Sequence, residues 1–245
     1  MSSLSVMKLR ILPLLVIAAI FSGIFSAGCK SSSSTPSGPP DYGGNVFPKS
    51  GTTYNFHVYL TDSLGTKVPG SDSDYVASVT QSGINYMGKS NVFQVSDAGA
   101  NNYYTYEHNG DVDLYLDPTA FGVLSSFFPG VFNQWYTFPA ASHVKGLIVY
   151  DSTITLPILG AAEVIGRIDY VGEETITVGT ESLTAEHCVF KVSSSLLFNY
   201  TQDVWFVSKI GYFVENKTRL TVTIPGFGKG ANSGRVETMT SYSLK

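Results

Sequence analysis

From Phe47 onward the chain is written in short runs that alternate apolar and polar residues and end at turn residues. That period of two suits half-buried strands and does not suit helices, whose apolar positions recur every 3.6 residues. Residues 220–224 are the plainest case: Leu220, Val222 and Ile224 face one way, and Thr221 and Thr223 the other. Runs 103–108 and 111–117 flank Asn109-Gly110, a dipeptide suited to the positive φ of a type I′ hairpin turn. In the second of these, Val112, Leu114 and Leu116 form an apolar face opposite Asp111, Asp113 and Asp117. Similar runs cover 53–60, 75–81, 92–96, 147–156, 162–171, 175–178, 185–195, 200–207, 212–223 and 234–244. So many strands with no helical partners between them predict an all-β domain, a curved antiparallel sheet or incomplete β-barrel. Only 118–139 departs from alternation. It carries Phe121, Val123, Leu124, Phe127, Phe128, Val131, Phe132, Trp135, Tyr136 and Phe138 and is expected to form a short helical turn and an apolar flap.

Composition narrows the function classes. Charged residues make up 14% of the 245-residue chain, against roughly a quarter in an average soluble domain, while aromatic residues reach 13%. The net charge is −4, and −6 once Lys8 and Arg10 are set aside with the leader described next. A nucleic-acid binder needs a basic face, so that partner class is not expected. Two cysteines cannot build a disulfide framework.

The first thirty residues read as an address. Lys8 and Arg10 precede the apolar run 11–21, whose length falls within the roughly 7–15 residues of a signal-peptide core. Pro13, Ser22, Gly23 and Ser26 interrupt or end it short of the roughly 20 apolar residues of a spanning helix. Phe25-Ser26-Ala27-Gly28-Cys29 resembles the lipobox of bacterial lipoproteins, with Ser26 in place of the usual Leu. That resemblance implies cleavage before Cys29, lipidation of Cys29, and a membrane partner reached through two or three acyl chains, enough for lasting attachment. Lys30 rather than Asp after the cysteine implies the outer membrane. The Ser/Pro/Gly-rich residues 30–44 supply a flexible tether. The expected organisation is a signal peptide over 1–28, lipidated Cys29 with a linker to 45, and one β domain over 46–245.

Three passages of the body resemble the TapB-like family of bacterial envelope lipoproteins, related in fold to the LolA/LolB-type half-barrels. Val46-Phe47-Pro48-Lys49-Ser50-Gly51-Thr52-Thr53-Tyr54 is similar to its opening into the first strand. Residues 172–179 with 186–192 are similar to its central hairpin, with Gly179-Thr180-Glu181 replacing the usual Pro-Ala-Gly turn. Trp205-Phe206-Val207-Ser208-Lys209-Ile210-Gly211-Tyr212-Phe213-Val214 is similar to its aromatic strand, Gly turn and return strand. The resemblance implies a curved antiparallel sheet anchored in the envelope and brings no catalytic residues.

Motifs with chemical meaning are few. Gly83-Ile84-Asn85-Tyr86-Met87-Gly88-Lys89-Ser90 satisfies the P-loop pattern, and 147–151 could pose as its Mg²⁺-coordinating strand. A P-loop cradles phosphates at the start of a helix, however, and the continuation Asn91-Val92-Phe93-Gln94-Val95 is a β segment. His187 and Cys188 are adjacent on a strand and so point to opposite faces, which makes Cys188 an inert core thiol beside Phe190 and Val192. Ser142-His143-Val144-Lys145 has S-x-x-K spacing but lies in a loop-like stretch without the companion motifs of the serine penicillin-binding proteins. His57, His108, His143 and His187 show no metal-ligand spacing; the pairs Asp72/Asp74 and Asp111/Asp113 lack the Gly and closing Glu of a Ca²⁺ loop and read as solvated carboxylates. No cofactor is expected. Residues 118–139 read either as a plug that completes the core of an open barrel or as an apolar rim or lid over a cavity; in the second case the candidate ligand-binding residues are Phe121, Phe127, Phe128, Phe132 and Trp135. A non-catalytic binding or scaffold lipoprotein for an apolar ligand is expected first. A structural lipoprotein docking other envelope proteins without a cavity comes second, and an unrecognised hydrolase third.

Overall fold

The computed structural model describes residues 42–97, 100–117, 132–156, 160–194, 198–224 and 228–245. All regular elements among them are strands: β1 (Thr53–Thr61), β2 (Ser73–Tyr86), β3 (Lys89–Asp97), β4 (Ala100–Tyr106), β5 (Val112–Leu116), β6 (Gln134–Phe138), β7 (Leu147–Leu156), β8 (Gly160–Val178), β9 (Glu181–Ser194), β10 (Phe198–Val207), β11 (Tyr212–Ile224) and β12 (Gly228–Ser243). They form one antiparallel sheet in the order β6-β5-β4-β3-β2-β1-β12-β11-β10-β9-β8-β7. Sequential hairpins supply every pairing except β1 with β12, which joins the two halves. Irregular registers at Asn55/Phe56, Ile148/Tyr150, Tyr170/Gly172 and Trp205/Phe206 bend the strands, as bulges do. The sheet curls almost into a barrel, with one unsealed seam between β6 and β7. The 139–146 connection crosses that seam, where Val144 O accepts the Tyr170 N–H at 3.0 Å. Nearby, Tyr136 of β6 packs its ring 5.7 Å from Phe190 of β9.

The inner face carries the core. Tyr54 stacks on Tyr212 at 4.4 Å, Tyr104 meets Tyr212 at 5.3 Å from the far wall, and Phe138 and Phe206 both meet Phe213 at 5.6 Å. This density of ring contacts accounts for the aromatic excess of the composition, since each ring buries a large apolar area and prefers offset or edge-on neighbours. Cys188 lies in this core, 1% exposed, and burial first of all pushes its thiol up to about 12. It is an inert packing residue.

The two ends of the half-barrel differ. One receives the turns 87–88, 107–111, 179–180 and 208–211, and the segment that precedes β1 closes it. Tyr42 stacks on Phe47 at 4.5 Å, and both rings pack edge-on against Tyr106. Asn45 Nδ2 donates to Gly110 O at 2.8 Å, Val46 N donates to Ser208 O at 2.8 Å, and Tyr106 Oη donates to Gly211 O at 2.6 Å. Gly211 is obligatory here: its φ is +69° and a Cβ would stand 2.0 Å from Val46 O. The other end, reached by the 61–73 connection and by the tops of β3, β5, β7, β9 and β11, is the open one.

Three local readings need correction. Gln134–Phe138, expected within the flap, is strand β6, with Tyr136 and Phe138 on the inner face and Trp135 and Thr137 on the outer; because both of its faces are covered, its sequence does not alternate. The expected strands 162–171 and 175–178 are one bent strand, β8. The 107–111 connection turns without a type I′ conformation, since only Gly110 has positive φ (95°) and its N–H bonds Glu107 O at 2.9 Å, while Asn109 Oδ1 takes the Asp111 N–H. The remainder of the expected flap, including Phe121, Phe127 and Phe128, lies outside the described residues.

Candidate functional site

At the open end the inner face changes character. Below it the walls present rings and aliphatic side chains; at its level, strand after strand presents a polar group. Tyr200 Oη donates to Gln202 Oε1 at 3.2 Å on β10, and Gln202 Nε2 donates to Asn216 Oδ1 of β11 at 3.2 Å. Asn216 Nδ2 donates to Glu237 Oε2 of β12 at 2.8 Å. Glu237 also holds the Arg235 guanidinium and accepts from Tyr75 Oη of β2 at 3.4 Å. Arg235 lies over the Tyr75 ring, 5.9 Å from its centre. Asp97 of β3 continues the belt and accepts from Asn102 Nδ2 of β4 at 3.2 Å. Alternation explains why these residues share one face: Asp97 follows the core residues Phe93 and Val95, and Glu237 and Arg235 precede Met239, each at a spacing of two.

The belt holds charge at a cost. Burial, then repulsion from Glu237, raise the Asp97 carboxyl to about 6 despite the opposing field of Arg235. Among the described residues Arg235 Nε is buried without a partner, and so is Tyr54 Oη deeper in the core. Unpaired buried donors destabilise a fold by about 1–3 kcal/mol each, and perturbed carboxyls gather where ligands act. Sequence reasoning passed over this belt because its members come from six strands; the detectable signal was polar Asp97, Glu237 and Arg235 at positions in phase with core residues.

Of the residues singled out from sequence, Trp135 is half-buried on the outer face of β6, where its Nε1 donates to Met87 O at 3.0 Å and its ring packs 5.3 Å from Tyr115. Phe132 precedes β6 and is half-buried.

The P-loop match is a bent hairpin. Met87 and Gly88 have φ of 41° and 81°, the two-residue I′ arrangement, and no helix follows. The hairpin folds against the outer face, where Tyr86 stacks on Tyr103 at 3.8 Å. Lys89 Nζ donates to Glu107 at 2.6 Å and to Asp113, whose side chain is fully buried. Thr137 Oγ1 donates to the same carboxylate at 2.5 Å. Asp113 is therefore not the solvated carboxylate expected from alternation, and Asp111 is also buried, accepting the Ala141 and Ser142 N–H groups at 2.9 and 2.8 Å. The hairpin supplies the second layer that the strand pattern could not announce.

His187, on the outer face, sits between Glu174 at 2.8 Å and Asp203 at 3.0 Å with its ring stacked on Trp205. His57 sits likewise between Asp74 and Asp72, and these bonds raise its pKa. Neither arrangement gathers metal ligands; among the described residues no group of three or more His, Cys, Asp or Glu side chains is placed to hold a metal ion.

No protein-family model matches the chain, and no curated protein does. Among solved structures, it is similar to a protein of Bacteroides fragilis described as exported and of YmcC-like fold, with 14% identity, a TM-score of 0.43, and 81% of this chain and 99% of that one covered. A protein of Parabacteroides distasonis described as a lipoprotein gives 13% identity and a TM-score of 0.40 over 80% of this chain and 97% of that one. The hypothetical lipoprotein YmcC of Escherichia coli gives 13% identity and 0.33 over 78% and 86%. These superpositions are loose, and the architecture rests on the chain's own strand pairing.

Proposed function

We propose that the protein is an exported lipoprotein of the bacterial cell envelope, held to the outer membrane through Cys29, and that it acts without catalysis as a binding module. The leader and the Ala27-Gly28-Cys29 sequence support the address. The three passages similar to the TapB-like family support the class: they form the entry into β1, the β8–β9 hairpin and the β10–β11 turn.

The observation that carries the binding reading is the polar belt above an aromatic floor, facing away from the end into which the anchored segment is packed. An amphipathic ligand matches that order, its polar group on Arg235, Glu237 and Asn216 and its apolar part toward the rings. Its candidate lid residues are Phe121, Phe127, Phe128, Phe132 and Trp135. Native mass spectrometry of the full-length protein extracted in detergent should show a co-purified or added lipid whose occupancy falls in Arg235→Ala. No adduct with any added lipid would sink this reading. The tight ring packing of the inner face favours a second one, a structural lipoprotein docking envelope proteins without an internal ligand; absence of adducts together with a stable membrane partner would select it. Anchoring has its own check: Cys29→Ala should abolish labelling by radioactive palmitate, and labelling at wild-type levels would refute it.

A further inference from the structure

We infer that the outer face of β8, β9 and β10 binds a phosphate group, with Arg167 and Lys191 as its charge partners. A groove of about 400 Å³ runs there, lined by Ile165, Arg167, Lys191, Ser193, Asn199 and Thr201 among others. Arg167 and Lys191 stand directly opposite each other across the β8–β9 ladder. Like charges so placed repel at Cβ separations of about 5 Å and destabilise a sheet. Neutralisation is slight: Lys191 reaches Asp169 only at 3.8 Å, and Arg167 has no hydrogen bond or ion pair among the described residues. The same register row continues through Thr201 to a third cation, Arg219 of β11.

Elsewhere in this acidic chain Lys67, Lys89, Lys209, Lys217 and Arg235 each rest on a carboxylate at closer range, and what sets Arg167 and Lys191 apart is that they face each other across a ladder. A locally unfavourable juxtaposition kept without compensation marks a place where a ligand supplies the missing partner. The donor set specifies its chemistry. Arg167 offers a planar fork suited to two oxygens of one oxyanion, and Lys191 offers a point charge. Ser193, Asn199 and Thr201 add hydroxyl and amide donors for the remaining oxygens. Two cations with these donors fit an anion of three or four oxygens and up to two charges, a phosphate rather than a carboxylate. Arg167 and Lys191 face outward and the belt inward; Tyr200 of the belt also lines the groove, so Arg167 and Arg235 are the residues whose substitution separates the two sites.

A phosphate could arrive on a lipid headgroup or on a soluble molecule, and two arms distinguish these sources. Thermal unfolding of the full-length detergent-solubilised protein is followed with inorganic phosphate against chloride at equal ionic strength, and in micelles doped with phosphatidylglycerol against diacylglycerol. Phosphate should raise the wild-type midpoint saturably, with apparent affinity about tenfold weaker in Arg167→Gln and in Lys191→Gln, each loss removing a charge-assisted bond. Both variants should fold, because these side chains are exposed and removing either relieves repulsion. An Arg167-dependent shift with phosphatidylglycerol assigns the lipid source; a shift with inorganic phosphate alone assigns the soluble one. If neither probe separates wild type from Arg167→Gln, the proposal is overturned.

Discussion

Asp97→Asn should raise the stability of the barrel at pH 7. The carboxyl titrates at about 6 in the fold against 3.8 unperturbed, with burial the main cause and Glu237 the second. A folded-state pKa above the unfolded one means that the folded chain holds this proton more firmly. The residue's contribution therefore turns against folding as pH rises from about 4 to about 6 and stays unfavourable above. At neutral pH the ionised form costs about 2–3 kcal/mol, and Asn removes that cost while still accepting the Asn102 amide. For a domain of this size the gain corresponds to about 5–10 °C in the unfolding midpoint. Urea unfolding at pH 7 and pH 4 checks it, because the advantage of the variant should shrink toward zero at the lower pH. An equal advantage at both values, or a loss at pH 7, would show that the buried charge is not what the belt sustains. A group that costs stability at its working pH is a reason to look there for a ligand.

Lys89→Met should have the opposite and larger effect. Among the described residues the ammonium is the only cation bonded to Asp113, whose carboxylate is fully buried, and burial, then the neighbouring Glu107 carboxyl, raise that carboxyl to about 6 against the lowering effect of Lys89. Removing one partner of such a pair leaves an uncompensated charge and costs about 3–5 kcal/mol. Adding Asp113→Leu to the variant should recover more than half of the loss, since both charges are then gone and an apolar side chain fills the space. Chemical denaturation of the single and double variants decides this; a single-variant loss below about 1 kcal/mol, the size of an exposed pair, would refute it. The same result bears on the P-loop pattern. In this chain the lysine of that pattern is consumed by two carboxylates, while Gly88 serves the turn of a hairpin and Gly83, with φ of 71°, an irregular register in β2.

These two cases show how far the sequence could be read. Leu220, Val222 and Ile224 announced β11 because one face of a half-buried strand is apolar and the other is not. The signal fails where both faces are covered. Gln134–Phe138 is buried on the inside by the core and half-covered on the outside by the 83–91 hairpin, so its strand looked like a flap. Asp113 sits at an outward position, yet the hairpin that buries it lies more than twenty residues away in sequence. The polar belt was invisible for a related reason: each strand contributes only one or two members, several of them inside polar runs such as 215–219, and only the register of six strands brings them to one level. Cys188 was legible because a single alternating strand decides its face.

The closed end has a mechanical consequence. Residues 42–47 are wedged into it and bonded to two separate turns, through Asn45 to Gly110 and through Val46 to Ser208. A pull on the chain ahead of Tyr42 would be shared between turns of the two halves of the sheet before it reached β1. The wedge thus works as a strain relief, like the grip where a cable enters a plug, so that tension on the preceding chain loads the housing rather than the first strand.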